Sequence, residues 1–375
     1  MTCEQRIAPG PDAGRRRLNV ALSLVGLVLL GVASALAVGE GYLRWRPRPL
    51  WQTTVTFGSF KWLHYDPFLG WQNLPQYTGL GFRINDQHFR GPEVSIAKRP
   101  GVLRVVCLGD SRTFGIWQDV ARFRFDNAYP SVLESLLRNH GIAVEVVNAG
   151  VVGYTSAHGL RQLITRVLQL EPDIVVVAFG FNDHSLSWNT ALRCHEPHNA
   201  LTRDLLYGLS DLRMLEFGMS VYQGITTWQP PPLTVPWVEP DEYVYNLRRF
   251  VQVSAAYGVH LIFLNLPLRA IELGDSVPAF PSSGPTPANP YEIYGARDLA
   301  GLHRVDQSYR AIMAGVAAGT STPVADAVSA FAANRGVPLF GRYDLVHWNA
   351  AGAQVVATTV YEKVMQLQWL THPAS

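Results

Sequence analysis

Four short polar motifs in this chain contain the residue types needed for acyl transfer. They centre on Ser111, on the glycines of NAGVVG, on Asn182 and on the pair formed by Asp344 and His347. A serine hydroxyl becomes an effective nucleophile when a histidine takes its proton and a carboxylate orients that histidine. Backbone N–H groups and an asparagine amide can stabilise the oxyanion that develops on the attacked carbonyl. Together these residue types predict a serine acyl-enzyme chemistry.

The spacing of Asp344 and His347 suits that chemistry. They stand three positions apart, directly before a predicted final helix. In a turn, positions i and i+3 can face the same side, so the carboxylate can hold Nδ1–H of the histidine and leave Nε2 free. Ser111 follows Gly109, which permits a tight turn into a helix whose first N–H groups point at the site. A helix-capping serine would have the same local sequence.

An alternation of apolar runs and amphipathic stretches must position these motifs. Buried strands are predicted by the runs VLRVVCLGD, VEVVNAG, DIVVVAFG and VHLIFLNLPL, and PVADAVSAF is a last apolar stretch. Helices are predicted for NAYPSVLESLLRNHG, SAHGLRQLITRVLQL, DEYVYNLRRFVQVSAAYG, VDQSYRAIMAGVAAG and AAGAQVVATTVYEKVMQ. Such alternation predicts a parallel sheet between two helical layers, a three-layer α/β/α sandwich. Ligands of these sheets bind beyond the carboxyl ends of the strands.

Residues 18–39 form an uncharged apolar segment, which is long enough to cross a bilayer as a helix. A buried core helix is one alternative. A cleavable signal peptide is another, because Ala35-Leu36-Ala37 resembles a processing site. Arginines flank both ends of the segment, so charge alone does not orient it. We expect a retained transmembrane anchor, with residues 1–17 as a short cytoplasmic tail and the rest of the chain outside the cytoplasm.

The remaining chain divides into an N-terminal extension and one large domain. Residues 40–100 form the predicted linker and N-terminal extension. Its part 50–100 is rich in aromatic residues, Gly and Pro, which predicts short strands and turns that could pack against the main domain. Residues 101–372 form the predicted catalytic domain. Two stretches interrupt its alternation, 184–239 and 268–300, and both are long enough to be insertions. Tryptophans of the first insertion could stack on sugars or pack a small subdomain.

Composition disfavours several classes of function. The net charge is only +2 without clustering of lysine and arginine, so nucleic acid is not an expected partner. Cys3, Cys107 and Cys194 are too far apart to suggest a disulfide framework or a metal site. The first strand is followed by no glycine-rich phosphate loop, which argues against a flavodoxin-like nucleotide binder. The predicted chemistry needs no metal and no organic cofactor.

Four segments of the chain resemble, in the same order, the motifs of the SGNH hydrolases, also called the GDSL esterase/lipase family. They are VVCLGDSRTFG, NAGVVGYTS, GFND and DLVHWNAAG. The resemblance runs from Leu103 to the final helix. It implies Ser111 as nucleophile, with Asp344 and His347 completing a triad, and an oxyanion hole built from Ser111, Gly153 and Asn182. The upstream FRINDQHFRGPE is similar to a segment of N-terminally anchored bacterial members.

The chain departs from the family pattern at three positions. Arg112 stands where an apolar residue is more usual, His88 stands where Gly is more usual, and Trp348 stands where Pro or Leu is more usual. Arg112, Asp183 and Trp348 adjoin the motif residues and are candidate substrate contacts. Arg112 could hold an anionic or sugar substrate, or it could point outward in an ion pair. These departures bear on the substrate, whereas the acyl-transfer residues are all present.

The function expected from the sequence is that of a serine esterase or deacetylase acting outside the cytoplasm on acyl esters, including acylated cell-surface glycans. An O-acyltransferase would use the same triad. A lipase or thioesterase differs in its acyl chain, and a catalytically silent binding protein of the envelope is a further alternative. The oligomeric state is not indicated by the sequence.

Overall fold

A computed structural model provides the fold. It describes residues 11–45, 60–66, 68–119, 122–126, 128–186, 197–210, 212–226, 235–269, 291, 294–341 and 344–367. Parts of the predicted insertion 184–239 and most of the predicted insertion 268–300 lie outside the described residues. The domain boundaries predicted from the sequence stay predictions.

The helices and strands are as follows, in chain order. The strands are β1 (Leu63–Asp66), β2 (Gly70–Asn73), β3 (Thr78–Gly79), β4 (Phe82–Arg83), β5 (Leu103–Gly109), β6 (Trp117–Asp119), β7 (Arg122–Arg124), β8 (Val144–Gly150), β9 (Ile174–Ala178), β10 (His260–Asn265) and β11 (Val324–Asp326). The helices are α1 (Pro11–Trp45), α2 (Ser111–Phe114), α3 (Tyr129–Asn139), α4 (Ser156–Gln162), α5 (Phe181–His184), α6 (Ala200–Gly208), α7 (Arg213–Thr226), α8 (Pro240–Ala256), α9 (Leu299–Thr320), α10 (Ala327–Ala333) and α11 (Ala350–Gln366).

A five-stranded parallel sheet forms the centre of the molecule, in the order β11-β10-β9-β5-β8. Its strands are apolar on both faces because each face is covered by a separate hydrophobic cluster. Val106 and Leu108 of β5 face one cluster with α4 and α8, while Val105 and Cys107 face the other with α3 and α11. The predicted α/β/α sandwich with a parallel sheet is therefore confirmed.

The register of the sheet brings three motif-bearing strand ends together. Gly109 of β5 pairs with Gly150 of β8 and with Ala178 of β9. The chain leaves all three strands at the same edge, where the serine, glycine and asparagine motifs begin. The last apolar stretch, PVADAVSAF, forms only a short strand, because β11 ends at Asp326. The Asp326 carboxylate then caps α10, which contains the rest of the stretch.

The segment upstream of β5 packs against the domain built on the central sheet. β1 pairs with β2, and β3 pairs with β4, as antiparallel hairpins. Trp62, Trp71 and Phe82 are each less than a tenth exposed and join the same hydrophobic cluster as Val106. The predicted short strands and turns are thus present. The buried side chains of this segment therefore contribute to the core.

Helix α1, Pro11–Trp45, extends beyond both ends of the apolar segment 18–39 from which it was predicted. Within Leu18–Trp45, an 18-residue window has a mean hydropathy of 2.5 and no buried residue, so this part of the helix is long and apolar enough to cross a membrane. The end of the helix contacts α7. The Glu40 carboxylate accepts the backbone N–H groups of Arg213 at 3.1 Å and Met214 at 2.9 Å, which lie in the first turn of α7.

Candidate active site

The turn after β5 places Ser111 at the start of α2, directly on the sheet edge. The Asp110 carboxylate caps the helix by accepting the N–H of Arg112 at 2.8 Å. A Cβ on Gly109 would lie 2.1 Å from the Thr113 hydroxyl, and one on Gly150 would lie 2.2 Å from a backbone nitrogen of α2. Glycine at these two strand ends therefore lets the helix carrying the serine sit against the sheet.

The structure brings Ser111, His347 and Asp344 into one hydrogen-bonded chain. The Ser111 Oγ lies 2.8 Å from Nε2 of His347. The Nδ1 of that histidine lies 3.0 and 2.9 Å from the two carboxylate oxygens of Asp344. If Nδ1 carries the hydrogen, Nε2 is free to accept the serine proton, which is the arrangement that a general base requires.

Asp344 is held as an acceptor from several directions. Its carboxylate accepts the N–H groups of Val346 at 3.0 Å, His347 at 2.9 Å and Gln118 at 3.2 Å. Burial raises the pKa of Asp344. The charge and hydrogen bond of His347, with the two local backbone N–H groups, outweigh this effect, so the pKa lies below its usual value. The carboxylate is thus charged at neutral pH and orients the imidazole.

Gly153 lies in the loop after β8, and Asn182 lies in the short helix α5. The loop is hydrogen-bonded both to α5 and to the end of β5. The N–H of Val151 donates to the Gly109 carbonyl at 3.1 Å, and the Asn182 amide donates to the Tyr154 carbonyl at 2.9 Å. Gly153 has a φ of +83°, a left-handed conformation that favours glycine. Neither the Ser111 N–H nor the Gly153 N–H donates a hydrogen bond within the described part of the chain. Both donors remain available to a ligand.

The three predicted substrate contacts are all buried. Arg112 is 2 % exposed, and its guanidinium pairs with Asp110 at 2.9 Å and lies 5.6 Å above the Phe181 ring. It forms an ion pair, as one of the two alternatives had it, but the side chain does not point outward. Trp348 is 4 % exposed and packs against Phe331. Their burial argues against direct contact with a substrate.

Asp183 stabilises the short helix α5, which also carries Asn182. It is fully buried and accepts the N–H of Ser156 at 2.9 Å and that of Gly180 at 3.0 Å. Burial raises the pKa of Asp183 to about 7, against the lowering effect of these hydrogen bonds. The residue therefore ties α5 to α4, and its burial disfavours the predicted contact with substrate. Trp237 of the first insertion is also buried, where it packs against Trp71.

Several contacts at the site could not be predicted from the sequence. The N–H of Gln118 reaches Asp344 from the β6–β7 hairpin, and a backbone group leaves no mark in the sequence. Trp71 and Asn73 of β2 donate to the carbonyls of Val152 at 2.8 Å and Gly150 at 3.1 Å. Both residues lie in the aromatic-rich run FLGWQN, but nothing in this run indicates that they bind the loop after β8. Among the described residues, no group of His, Cys, Asp and Glu side chains is arranged to hold a metal ion.

Comparison with protein families agrees with this geometry. Residues 107–355 match the GDSL-like lipase/acylhydrolase family. The chain belongs to this family. The matched range of this GDSL-family protein includes the nucleophile turn, both candidate oxyanion motifs and the Asp-x-x-His motif, and it begins after the packed upstream segment.

Beyond the family match, the chain is similar to individual known proteins. An arylesterase from Vibrio mimicus is 32 % identical over 80 residues, which are 21 % of this chain and 38 % of that protein. The match thus spans well under half the length of that relative. A lipase/acylhydrolase from Enterococcus faecalis is 17 % identical, with 71 % of this chain and 96 % of that chain covered and a TM-score of 0.43. An acetylxylan esterase from Geobacillus stearothermophilus is 17 % identical, with coverages of 70 % and 94 % and a TM-score of 0.42.

Proposed function

We propose that this GDSL-family protein is a serine esterase that forms an acyl-enzyme on Ser111. The observation that carries the proposal is the continuous hydrogen-bonded chain from the Ser111 hydroxyl through His347 to Asp344. A hydroxyl, a base and an orienting carboxylate in this order are the parts that nucleophilic acyl transfer needs. The family match supports the same chemistry.

The reaction proceeds in two balanced steps. Nε2 of His347 takes the proton of Ser111 while Oγ attacks the ester carbonyl, and the tetrahedral intermediate then expels the alcohol, which leaves with that proton. Water next attacks the acyl-enzyme, again losing its proton to His347, and the acid is released as Oγ recovers a proton. Asp344 stays ionised throughout and stabilises the imidazolium in both steps.

The oxyanion of each tetrahedral intermediate needs hydrogen-bond donors. We assign this role to the N–H groups of Ser111 and Gly153 and to the side-chain amide of Asn182. The amide has two hydrogens, of which one is used by the Tyr154 carbonyl, so the second remains for the oxyanion. These donors are fixed before substrate arrives, which is the condition under which they contribute most to rate.

We place the reaction outside the cytoplasm, with α1 as a retained membrane anchor. The apolar length of α1 supports a membrane span, and the helix continues without a break through Ala35 and Ala37, where a signal peptide would be cleaved. In spheroplasts of an expressing bacterium, added protease should remove a C-terminal tag, and an N-terminal tag should stay on the mature chain. A protected C-terminal tag would refute the location, whereas loss of the N-terminal tag would indicate a cleaved signal peptide.

Esters on cell-surface glycans are the substrate class that we propose. This proposal depends on the location, because an anchored enzyme outside the cytoplasm encounters acylated surface polymers. Release of acetate from acetylated glycans, compared with hydrolysis of p-nitrophenyl esters of increasing chain length, tests it. Preference for long acyl chains would favour a lipase or thioesterase instead.

The esterase proposal itself is tested by active-site labelling. The full chain, purified in detergent, should react with a fluorophosphonate and hydrolyse p-nitrophenyl acetate, and Ser111→Ala should abolish both. Labelling without turnover would indicate a transferase that needs another acceptor. A folded wild-type chain that is not labelled would refute a serine nucleophile.

A further inference from the structure

Trp71 lies beneath the loop that carries Gly153, although it precedes the family-matched range 107–355. It belongs to β2 of the upstream segment and is 2 % exposed. Its indole N–H donates to the carbonyl of Val152 at 2.8 Å. Its ring also lies 3.2 Å from the position that a Cβ on Gly153 would take. The side chain therefore binds the carbonyl of Val152 and also lies close to the α-carbon of Gly153.

This contact fixes the direction of a candidate oxyanion donor. The carbonyl of Val152 and the N–H of Gly153 belong to the same peptide group, which is planar and trans. In a trans peptide the C=O and the N–H point in opposite directions. A hydrogen bond that holds the carbonyl oxygen toward the indole nitrogen of Trp71 thus turns the Gly153 N–H to the opposite side of the peptide group, where it donates no hydrogen bond within the described residues.

Two further bonds attach the same loop to β2. The Tyr154 hydroxyl donates to the backbone carbonyl of Trp71. The side-chain amide of Asn73 donates to the Gly150 carbonyl at 3.1 Å. The loop between Gly150 and Tyr154 is therefore held at both ends and in the middle by one strand. Gly153 has a φ of +83°, and glycine can also adopt other backbone conformations, so these bonds restrict the choice.

We propose that Trp71 is a positioning residue of the oxyanion hole, which it serves by orienting the N–H of Gly153. This inference rests on the serine esterase proposed above. Oxyanion donors act through preorganisation, so a donor that loses its fixed direction loses most of its effect on rate. The upstream segment would then be part of the catalytic machinery, although it lies outside the family-matched range.

The test compares Trp71→Phe with Trp62→Phe in the full chain, purified in detergent. Both tryptophans are 2 % exposed and lie in the same hydrophobic cluster. The indole nitrogen of Trp62 has no hydrogen-bond partner among the described residues, so the control removes the same atoms without breaking a hydrogen bond. Each variant is measured for kcat and KM with p-nitrophenyl acetate, for Tm, and for inhibition by phenylboronic acid, whose serine adduct is tetrahedral.

We expect Trp71→Phe to lower kcat by about ten- to a hundredfold with little change in KM, because the affected donor acts only in the transition state. Phenylboronic acid should lose affinity by a similar factor. Trp62→Phe should lower Tm comparably and leave kcat and boronate affinity unchanged. Equal kinetics in the two variants, or a kcat loss without weaker boronate binding, would overturn the inference while leaving the esterase intact. A wild-type chain inert to fluorophosphonate and to boronate would overturn both.

Discussion

Replacing Asp344 by asparagine should nearly abolish turnover while leaving a folded protein. In the structure both oxygens of Asp344 accept N–H groups: one accepts from Val346 and His347, the other from Gln118, and both lie within 3.0 Å of Nδ1 of His347. Asparagine has a single oxygen. The orientation that keeps the two backbone bonds of the first oxygen directs the NH₂ group at Gln118 and at the imidazole.

A donor facing Nδ1 favours the tautomer in which the hydrogen moves to Nε2 of His347. Nε2 lies 2.8 Å from the Ser111 hydroxyl, and once protonated it can no longer accept the serine proton. The corresponding change in a Ser-His-Asp triad lowers kcat by about 10⁴-fold, or about 5.5 kcal/mol of barrier. The unsatisfied N–H of Gln118 should cost about 1–3 kcal/mol of stability.

The assay is p-nitrophenyl acetate hydrolysis by Asp344→Asn, with urea unfolding in parallel and Asp173→Asn as the control. Asp173 is equally buried, 4 % exposed, and its carboxylate pairs with Lys98 and accepts the Arg104 N–H at 2.7 Å, at the other end of the sheet. The control should lose stability and keep its kcat. If Asp344→Asn retains more than about a tenth of wild-type kcat, the carboxylate does not set the tautomer, and the triad assignment fails.

Two further predictions follow from Asn182 and Asp183 of α5. Asn182→Ala should lower kcat by about 10²–10³-fold and leave measurable hydrolysis of p-nitrophenyl acetate, because two backbone donors remain; an unchanged kcat would remove Asn182 from the oxyanion hole. The pKa of Asp183, raised to about 7, means that the native state binds this proton more tightly than the unfolded chain. Its contribution to stability is therefore fully present below about pH 4 and is lost as pH rises through about 7. Urea midpoints should consequently fall less between pH 5 and 7.5 in Asp183→Asn than in the wild type; an equal fall would contradict the raised pKa.

Much of the fold follows from local patterns in the sequence. Near-continuous apolar runs predicted buried strands, and the run VEVVNAG coincides with β8. The final helix was likewise predicted at the bounds of α11. The stretch PVADAVSAF was ambiguous because a three-residue strand and a short helix of similar hydrophobicity have no distinguishing period. The motif order also predicted which strand ends must meet, since parallel strands share their carboxyl edge.

Contacts between distant segments were not predictable in this way. Trp71 and Val152 are separated by 81 positions, and no periodicity in either segment indicates their pairing. Arg112 follows Asp110 by two positions, and local sequence allows such a pair to lie either at the surface or under a covering ring such as that of Phe181. The roles predicted for Ser111 and its partners stay predictions, to which the structure adds their distances.

The serine and histidine that meet at 2.8 Å are 236 positions apart in the chain. The histidine stands just before α11, which packs against α3 in the outer layer next to the sheet. During synthesis the nucleophile turn is therefore made long before its base exists. A nascent or C-terminally truncated chain has the serine without the means to activate it. Bringing this serine and this histidine together therefore requires nearly the whole chain to have been made and folded.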